Sequence, residues 1–246
     1  SFRDPSGFLF YKDGVLYRQV NQSYRKHYDR LMESGLYDAL VKQGLMVPHL
    51  ETDAVEAVNP DLAYRVIQPE IVDFISYPYE WCFHELRSAA LTTLRLARTA
   101  LDHGMILKDA SAYNLQFVGG RWQLIDTLSF EIFEEGEPWV AYKQFCQHFL
   151  APLALMAYGD PRLNLMSRLF IDGIPLDIAA KLLPGKTKLR FGLMTHIHLH
   201  ARTQKRYAGK EVRREEVKGK VSHQSLVGLL DSLRNTVKGL TVRTSG

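Results

Sequence analysis

Several features are scarce or missing in this chain of 246 residues, and their absence narrows the choices. Only two cysteines occur, Cys82 and Cys146. Two are too few for a disulfide framework or a zinc-finger spacing, which is typical of a reducing compartment. No run approaches the roughly 18 apolar residues of a membrane-spanning helix. The start, Ser-Phe-Arg-Asp-Pro, has neither an initiator methionine nor a signal-peptide pattern. We therefore expect a cytoplasmic piece of a longer protein, without a transmembrane segment.

A phosphate-binding loop of the G-x-G-x-x-G type is also absent from the sequence. If the protein binds a nucleotide, other groups must supply the affinity, or the affinity is weak. The remaining composition, 46% hydrophobic and 24% charged, is that of an ordinary soluble globular protein and argues against disorder. A chain of this length can bury one large core or two smaller lobes.

The formal net charge of +4 is concentrated between Ala201 and Lys220, where eight Lys or Arg face three Glu. This basic segment could bind a polyanion, an acidic lipid surface or an acidic partner, or could be a solvated linker. Its only aromatic residue is Tyr207, so a stacking surface for nucleic acid is not expected. Its basic residues are Arg202, Lys205, Arg206, Lys210, Arg213, Arg214, Lys218 and Lys220.

Hydrophobic patterning predicts a mixture of strands and helices first and a mostly helical remainder. Alternating residues on both sides of Lys12-Asp13-Gly14 predict a hairpin, and Ala63 to Pro69 predicts another strand. The predicted helices are from about Gln22 to Ser34, Leu36 to Gln43, Phe83 to just before Gly104, Trp139 to Tyr158, Pro161 to Ile171, Leu176 to Leu183, Phe191 to Tyr207 and Ser222 to Lys238. We expect an α+β fold with two lobes, a small β-rich lobe over residues 1–80 and a helical lobe over residues 81–246.

A second predicted hairpin brings Asn114 and Asp126 together. The apolar-rich runs before and after Gly119-Gly120 should pair as antiparallel strands. Counted outward from that turn, the two residues end near one another at the open end of the hairpin. Residues opposed on paired strands lie about 4.5 to 5.5 Å apart. Two oxygen ligands at this spacing suit one Mg²⁺, which takes ligands at about 2.1 Å and keeps positions for substrate phosphates.

Another carboxylate, Asp109, lies five residues before Asn114, directly after Lys108. The three residues Asp109, Asn114 and Asp126 therefore offer one acid for an attacking hydroxyl and two ligands for a metal. Positioning and charge neutralisation of this kind drive phosphoryl transfer from ATP. The alternative is structural, because a loop Asp can simply cap a turn beside an ordinary hairpin.

The segment from His103 to Glu131 resembles the catalytic core of the protein-kinase-like superfamily, which includes aminoglycoside phosphotransferases. The resemblance implies a kinase-like fold, ATP and Mg²⁺ as cofactors, Asp109 with Lys108 as the catalytic pair, and Asn114 and Asp126 as Mg²⁺ ligands. Two departures are visible. Leu107 replaces the histidine of the H-R-D motif, and Thr127-Leu128 replaces Phe-Gly after the metal-binding Asp.

Arg18 is a further candidate for nucleotide binding. It lies between Leu16 and Val20 on one face of the second predicted strand, in the manner of the nucleotide-facing lysine of a kinase small lobe. A helix carboxylate, Glu33 or else Asp29, would then pair with it. An arginine is not equivalent to a lysine, because its planar fork needs a different geometry. The alternative is a surface arginine on an edge strand.

Three strings resemble the N-terminal half of bacterial nodulation-type proteins that carry a class I SAM-dependent methyltransferase domain afterwards: residues 2–5 (Phe-Arg-Asp-Pro), 75–81 (Ile-Ser-Tyr-Pro-Tyr-Glu-Trp) and 136–142 (Gly-Glu-Pro-Trp-Val-Ala-Tyr). That resemblance implies a C-terminal methyltransferase domain outside this chain. The sequence thus favours an ATP- and Mg²⁺-dependent phosphotransferase acting on an unknown hydroxyl. The alternatives are a non-catalytic pseudokinase-like domain that binds nucleotide or substrate, and a basic module for polyanions.

Overall fold

The N-terminal part of the protein is built on a four-stranded antiparallel sheet. In the computed structural model, which describes residues 5–202 and 221–242, β1 (Gly7–Lys12) and β2 (Val15–Asn21) form the predicted hairpin. A short edge strand, β3 (His49–Glu51), pairs with β4 (Ala63–Pro69), and β4 pairs with β2. The order is β1-β2-β4-β3. Arg18, at the middle of β2, therefore lies on an inner strand and not on the edge.

Two helices connect β2 to β3. A 3₁₀ turn (Gln22–Tyr24) leads into α1 (Arg25–Glu33), and α2 (Leu36–Lys42) follows. Gly35 joins them with a φ of 76°, a backbone conformation that glycine adopts without steric cost. The buried face of this helical segment carries Tyr24 from the 3₁₀ turn and Tyr28 and Leu31 from α1.

Residues 70–82 connect the sheet to the helical part of the protein. The side chain of Gln116 holds this linking segment at Ser76: the Ser76 N–H donates to Oε1 at 2.9 Å, and Nε2 donates to the Ser76 carbonyl at 3.0 Å. At its end, Trp81 packs on Trp122 with ring centroids 4.5 Å apart. Gln116 and Trp122 lie on the two strands of the second predicted hairpin, around Gly119-Gly120. The linking segment is thus fixed to that hairpin.

The longest helix, α3 (Phe83–Asp102), delivers the chain to four short strands. β5 (Met105–Leu107) pairs with β8 (Phe130–Ile132). Between them, β6 (Leu115–Val118) and β7 (Arg121–Leu124) form the second predicted hairpin. Its turn residues Gly119 and Gly120 have φ of 57° and 81°, as a two-residue hairpin turn of the primed type requires.

The rest of the described chain is helical. α4 (Tyr142–Phe145) continues through a π-helical segment (Cys146–Leu150) into α5 (Ala151–Tyr158). The π segment comes just before Pro152, whose ring would clash with the carbonyl four residues earlier in a regular helix. The remaining helices are α6 (Met166–Leu169), α7 (Leu176–Leu182), α8 (Phe191–Leu193) with a π-helical extension (Met194–Leu199), and α9 (His223–Lys238). The predicted helix from Phe191 to Tyr207 and most of the basic segment run past Arg202, outside the described residues.

One large hydrophobic core joins the buried faces of α3, α5 and α9. Leu36 and Leu40 of α2 belong to this core as well, so it reaches into the first 80 residues. A small second cluster lies under the sheet and consists of Val20, Tyr24, Tyr28, Ile67 and Leu128. The α+β class is confirmed, while the division at residue 80 stays a prediction. Within the described ranges, no helix combines the length and the hydrophobicity needed to cross a bilayer.

Candidate functional site

The β6–β7 hairpin sets the position of Asn114 and Asp126. Its register runs from Val118 opposite Arg121 to Leu115 opposite Leu124. One step further out, the Ile125 N–H donates to the Asn114 carbonyl at 2.9 Å. Asp126 is therefore one residue beyond the residue opposite Asn114, at the open end of the hairpin. The Leu124 main chain also bonds to Leu45 at 2.8 Å and Val47 at 2.9 Å, which ties β7 to the segment after α2.

Asp126 forms an ion pair with Arg18. The Arg18 Nη1 lies 2.6 Å from Asp126 Oδ1, and the two side chains are only 8% and 18% exposed. The same carboxylate oxygen accepts the Leu128 N–H at 2.9 Å. At this depth the attraction between the charges is stronger than at a surface, and removing one partner would leave a poorly solvated charge. The structure thus joins two of the predicted site residues.

Ser129 links the Asp109 loop to Asp126 through the main chain. Its carbonyl accepts the N–H groups of Lys108 at 2.8 Å and Asp109 at 3.4 Å. Its own N–H donates to the Asp126 carbonyl at 3.3 Å. The start of the loop and the end of the hairpin are therefore only two hydrogen bonds apart.

The Asp109 carboxylate is held through one oxygen. Oδ1 accepts the Ser111 N–H at 2.9 Å and the Gln144 Nε2 group at 2.8 Å. Gln144 in turn accepts the Ala110 N–H at 2.7 Å. No hydrogen bond within the described residues engages Asp109 Oδ2, and the residue is only partly buried. A carboxylate fixed in this way can accept a proton on its second oxygen.

The donor set of Asn114 and Asp126 suits Mg²⁺ bound together with phosphates. The Asn114 Nδ2 atom is buried and has no hydrogen-bond partner among the described residues, while the atom that could bind a metal is the amide oxygen Oδ1. Amide and carboxylate oxygens are the hard ligands that Mg²⁺ prefers, and it is usually held by one or two carboxylates plus substrate phosphates. Among the described residues, no group of three or more His, Cys, Asp or Glu could hold a metal ion. Asn114 and Asp126 would therefore supply two oxygen ligands to a metal, and its remaining ligands would have to come from a substrate or from water.

Lys108 contacts the sheet side of the site. Its ammonium lies 4.6 Å from the centre of the Tyr24 ring and donates to Ser6 Oγ at 3.0 Å. Tyr24 is fully buried and donates its hydroxyl to the Phe130 carbonyl. Burial raises the pKa of Tyr24, and the negative charge of Asp126 raises it further. The Tyr24 hydroxyl therefore stays neutral and donates to Phe130, while the Tyr24 ring contacts Lys108.

Glu33 does not join the site. It is exposed at the end of α1, and no hydrogen bond or ion pair in the described residues links it to Arg18. The second candidate, Asp29, pairs instead with Arg25 at 3.6 Å and with the Tyr64 hydroxyl. Arg18 takes Asp126 as its acidic partner, so the predicted pair between Arg18 and a helix carboxylate is corrected.

Two contacts of the Asp109 loop were not predicted from the sequence. Besides Gln144, the His148 ring lies against the loop, where Nδ1 accepts the Ala112 N–H at 3.4 Å. Burial lowers the pKa of His148 to about 4, although Asp109 and Asp172 oppose the shift. The imidazole is therefore neutral near pH 7. The available signal was weak: Gln144 and His148 are polar residues four positions apart in a mostly apolar helix.

Comparison with known proteins gives one informative similarity. The chain is 35% identical over 208 residues to the nodulation protein NoeA of Rhizobium meliloti (strain 1021). The match covers 83% of this chain and 43% of that relative, so the chain spans less than half of the relative's length. No protein-family model matches the sequence. The resemblance to bacterial nodulation proteins is thus supported as a relationship.

Proposed function

We propose that this chain is an ATP- and Mg²⁺-dependent phosphotransferase domain with a protein-kinase-like fold, acting on a hydroxyl group of an unidentified acceptor. The observation that carries the proposal is the meeting of the Asp109 loop and the Asn114–Asp126 hairpin at Ser129. Five residues in sequence separate Asp109 from Asn114, and a hairpin brings the chain back to Asp126. This combination of spacing and topology is what the superfamily resemblance requires.

Each residue has a distinct role in the proposed reaction. Asp109 Oδ2 accepts the proton of the acceptor hydroxyl as the oxygen forms its bond to the γ-phosphorus, while the bond from that phosphorus to ADP breaks. General-base assistance of this kind contributes about 10²- to 10⁴-fold. Asn114 and Asp126 would hold Mg²⁺, which neutralises the charge of the triphosphate when bound. Arg18 and Lys108 would add positive charge on the side of the sheet.

The first test measures nucleotide binding. In calorimetric titrations with MgATP, we expect Asp126→Asn to weaken binding at least tenfold, because a proposed metal ligand loses its charge. Asp102→Asn is the matched control, since Asp102 is also paired with an arginine, Arg98 at 3.2 Å, but lies at the end of α3. It should bind MgATP like the wild type. Equal affinities of Asp126→Asn and wild type would contradict the proposal.

A second test separates binding from turnover. We expect Asp109→Asn to keep its affinity for MgATP within about threefold and to lose about 100-fold or more of the Mg²⁺-dependent ATP hydrolysis or autophosphorylation rate. The reason is that Asp109 acts on the attacking oxygen and does not bind the nucleotide. An equal turnover in both proteins would remove Asp109 from the mechanism.

A non-catalytic, pseudokinase-like domain is the second candidate. Two observations favour it: the β1–β2 turn is only two residues long, Asp13 and Gly14, and Arg18 already occupies the Asp126 carboxylate. Such a domain would bind nucleotide or substrate and regulate an attached enzyme. MgATP binding without turnover in the wild type would select this candidate.

The similarity to NoeA supports one further part of the proposal. The relative is more than twice as long as the matched part, which is compatible with a further domain; a C-terminal methyltransferase domain is the partner that we propose. A cytoplasmic location is proposed because ATP and Mg²⁺ are available there. Nucleic acid is not proposed as a partner.

A further inference from the structure

One side chain, Gln144, connects the carboxylate of Asp109 with the backbone of its own loop. Its Nε2 group donates to Asp109 Oδ1 at 2.8 Å, and its Oε1 accepts the Ala110 N–H at 2.7 Å. Both ends of a single amide are therefore used. Gln144 is partly buried on α4, 35 residues from Asp109 in sequence.

The helical run 142–158 contacts the loop at a second point, one turn further on. There the His148 ring accepts the Ala112 N–H at 3.4 Å. The two contacts flank the entrance to the π-helical segment Cys146–Leu150, and π segments often occur where a helix presents side chains to a functional site. The backbone N–H groups of Ala110 and Ala112, two residues apart in the Asp109 loop, are thus each bound by a side chain of the same helical run.

We propose that Gln144 is a positioning residue that sets the rotation of the Asp109 carboxylate in phosphoryl transfer. This inference rests on the proposed function of the same site. The last torsion of an aspartate side chain has broad energy minima, so the carboxylate plane is not fixed by its own rotamer. Bonds from Ser111 and Gln144 to Oδ1 fix the plane and direct Oδ2 toward the acceptor. Preorganisation of this kind increases turnover without increasing nucleotide affinity.

The charges around this contact are few. His148 lies on the same helical run and is close enough to Asp109 and Asp172 for their charges to act on its ring. Lys108 precedes Asp109 but directs its ammonium to Tyr24 and Ser6. On α4, the neighbour Lys143 is exposed. Gln144 is thus the neutral donor between the helix and the catalytic carboxylate.

The variant Gln144→Glu separates the two bonds of the amide. A glutamate can still accept the Ala110 N–H, but when ionised it cannot donate to Asp109 and places a second negative charge beside it. We expect the kcat of Mg²⁺-dependent ATP hydrolysis, with water as acceptor, to fall about 10- to 100-fold near pH 8, with the KM for MgATP changed less than about twofold. Two close carboxylates share a proton more readily than isolated ones do. The variant should therefore recover relative to wild type as the pH falls toward about 5, because the introduced carboxyl group can donate again once it is protonated.

Two further variants control for structural damage. Gln147→Glu makes the same chemical change three residues away, where the side chain forms no hydrogen bond with the described residues, and should keep the wild-type kcat and pH profile. Gln144→Leu loses both bonds and should show low kcat at every pH. Urea unfolding of each variant checks that the fold is retained.

The outcomes separate the positioning role of Gln144 from the proposed phosphotransferase function. If the wild type hydrolyses ATP and Gln144→Glu has the same kcat and pH profile, or if Gln147→Glu loses as much, the positioning role is wrong while the proposed function stands. If the wild type shows no turnover, the proposed function fails and the positioning role fails with it. Acid recovery limited to Gln144→Glu supports the inference.

Discussion

At the scale of single residues, the site depends on a buried ion pair between Arg18 and Asp126. Such a pair is a poor source of stability, because desolvating two charges offsets most of their attraction. Its value is positional: it fixes a carboxylate at the end of β7 and points a guanidinium from β2 at the same place. Tyr24 is fully buried nearby, and the charges of both Asp126 and Arg18 act on the pKa of its hydroxyl.

The Tyr24 hydroxyl should make a measurable contribution to stability. Tyr24→Phe removes the donor to the Phe130 carbonyl while keeping the ring that Lys108 contacts. We expect a loss of about 1 kcal/mol in the free energy of unfolding, the usual value of a net internal hydrogen bond. Urea unfolding measures it. Tyr11→Phe, on a 72% exposed residue of β1, should change stability by less than about 0.5 kcal/mol. Equal effects would mean that the buried bond contributes nothing.

The sequence could predict only the local part of the site. The placement of Asp109, Asn114 and Asp126 around one hairpin was predictable because a short loop and a tight turn fix their separation within 18 residues of chain, while their roles stay predictions. Arg18 was predictable from strand alternation, which places it on the inward face of β2. Its acidic partner was mispredicted, since only the packing of the sheet on the β6–β7 hairpin brings Asp126 to it. Gln144 was missed because a lone glutamine in a helix has no pattern that marks a distant contact.

At the scale of elements, the β6–β7 hairpin is the part on which the site geometry depends. Its turn requires two successive residues with positive φ, and Gly119 and Gly120 supply them. No other atom lies within 4 Å of a methyl group placed on either residue. The cost of substituting these glycines is therefore conformational and not steric.

Gly119→Ala should destabilise the protein by about 1 kcal/mol or more, because an L-residue adopts this backbone conformation only with strain. Gly228→Ala is the matched control: it also has no atom within 4 Å but lies on the exposed face of α9. That change should stabilise the protein by about 0.4 to 1 kcal/mol, because alanine favours the helix and restricts the unfolded chain. Thermal unfolding compares the two. The same sign of change in both variants would contradict this account of the turn.

Among the elements, the long periodic helices and the two glycine-containing hairpins were predicted well. Strands β3, β5 and β8 were not predicted, because each has three residues and so cannot show a two-residue alternation. Their existence depends on a partner elsewhere in the chain, such as β4 for β3. The π-helical segments were also missed, because the wider turn that precedes Pro152 leaves no mark in the hydrophobic pattern.

At the scale of the whole molecule, stability should depend on pH through three buried histidines. Burial is the main cause that lowers the pKa of His49, His148 and His196 to about 4. Because these folded-state values lie below that of an exposed histidine, about 6.5, the unfolded chain binds protons first. The contribution of these histidines to the free energy of unfolding is therefore fully present above about pH 6.5 and is lost as the pH decreases toward about 4.

Replacing one of these histidines should reduce that pH dependence. Each buried histidine should lower the free energy of unfolding of the wild type by about 1 kcal/mol at pH 5.5 relative to neutral pH. We expect His49→Gln to lose less stability than wild type between pH 7.5 and 5.5, by about that amount, in urea unfolding at both pH values. The exposed His84 is the control, and His84→Gln should lose as much as wild type. A pH dependence unchanged in His49→Gln would contradict the role given to burial.

The two cysteines differ in a way that has a practical consequence. Cys146 is fully buried, and burial raises the pKa of its thiol to about 12, so it offers almost no reactive thiolate in neutral solution. Cys82 is exposed at the start of α3, directly after Trp81 and at the end of the linking segment. A maleimide dye should consequently attach at one place in the unaltered protein. A dye at this position would mark the junction between the linking segment and α3 without engineered labels.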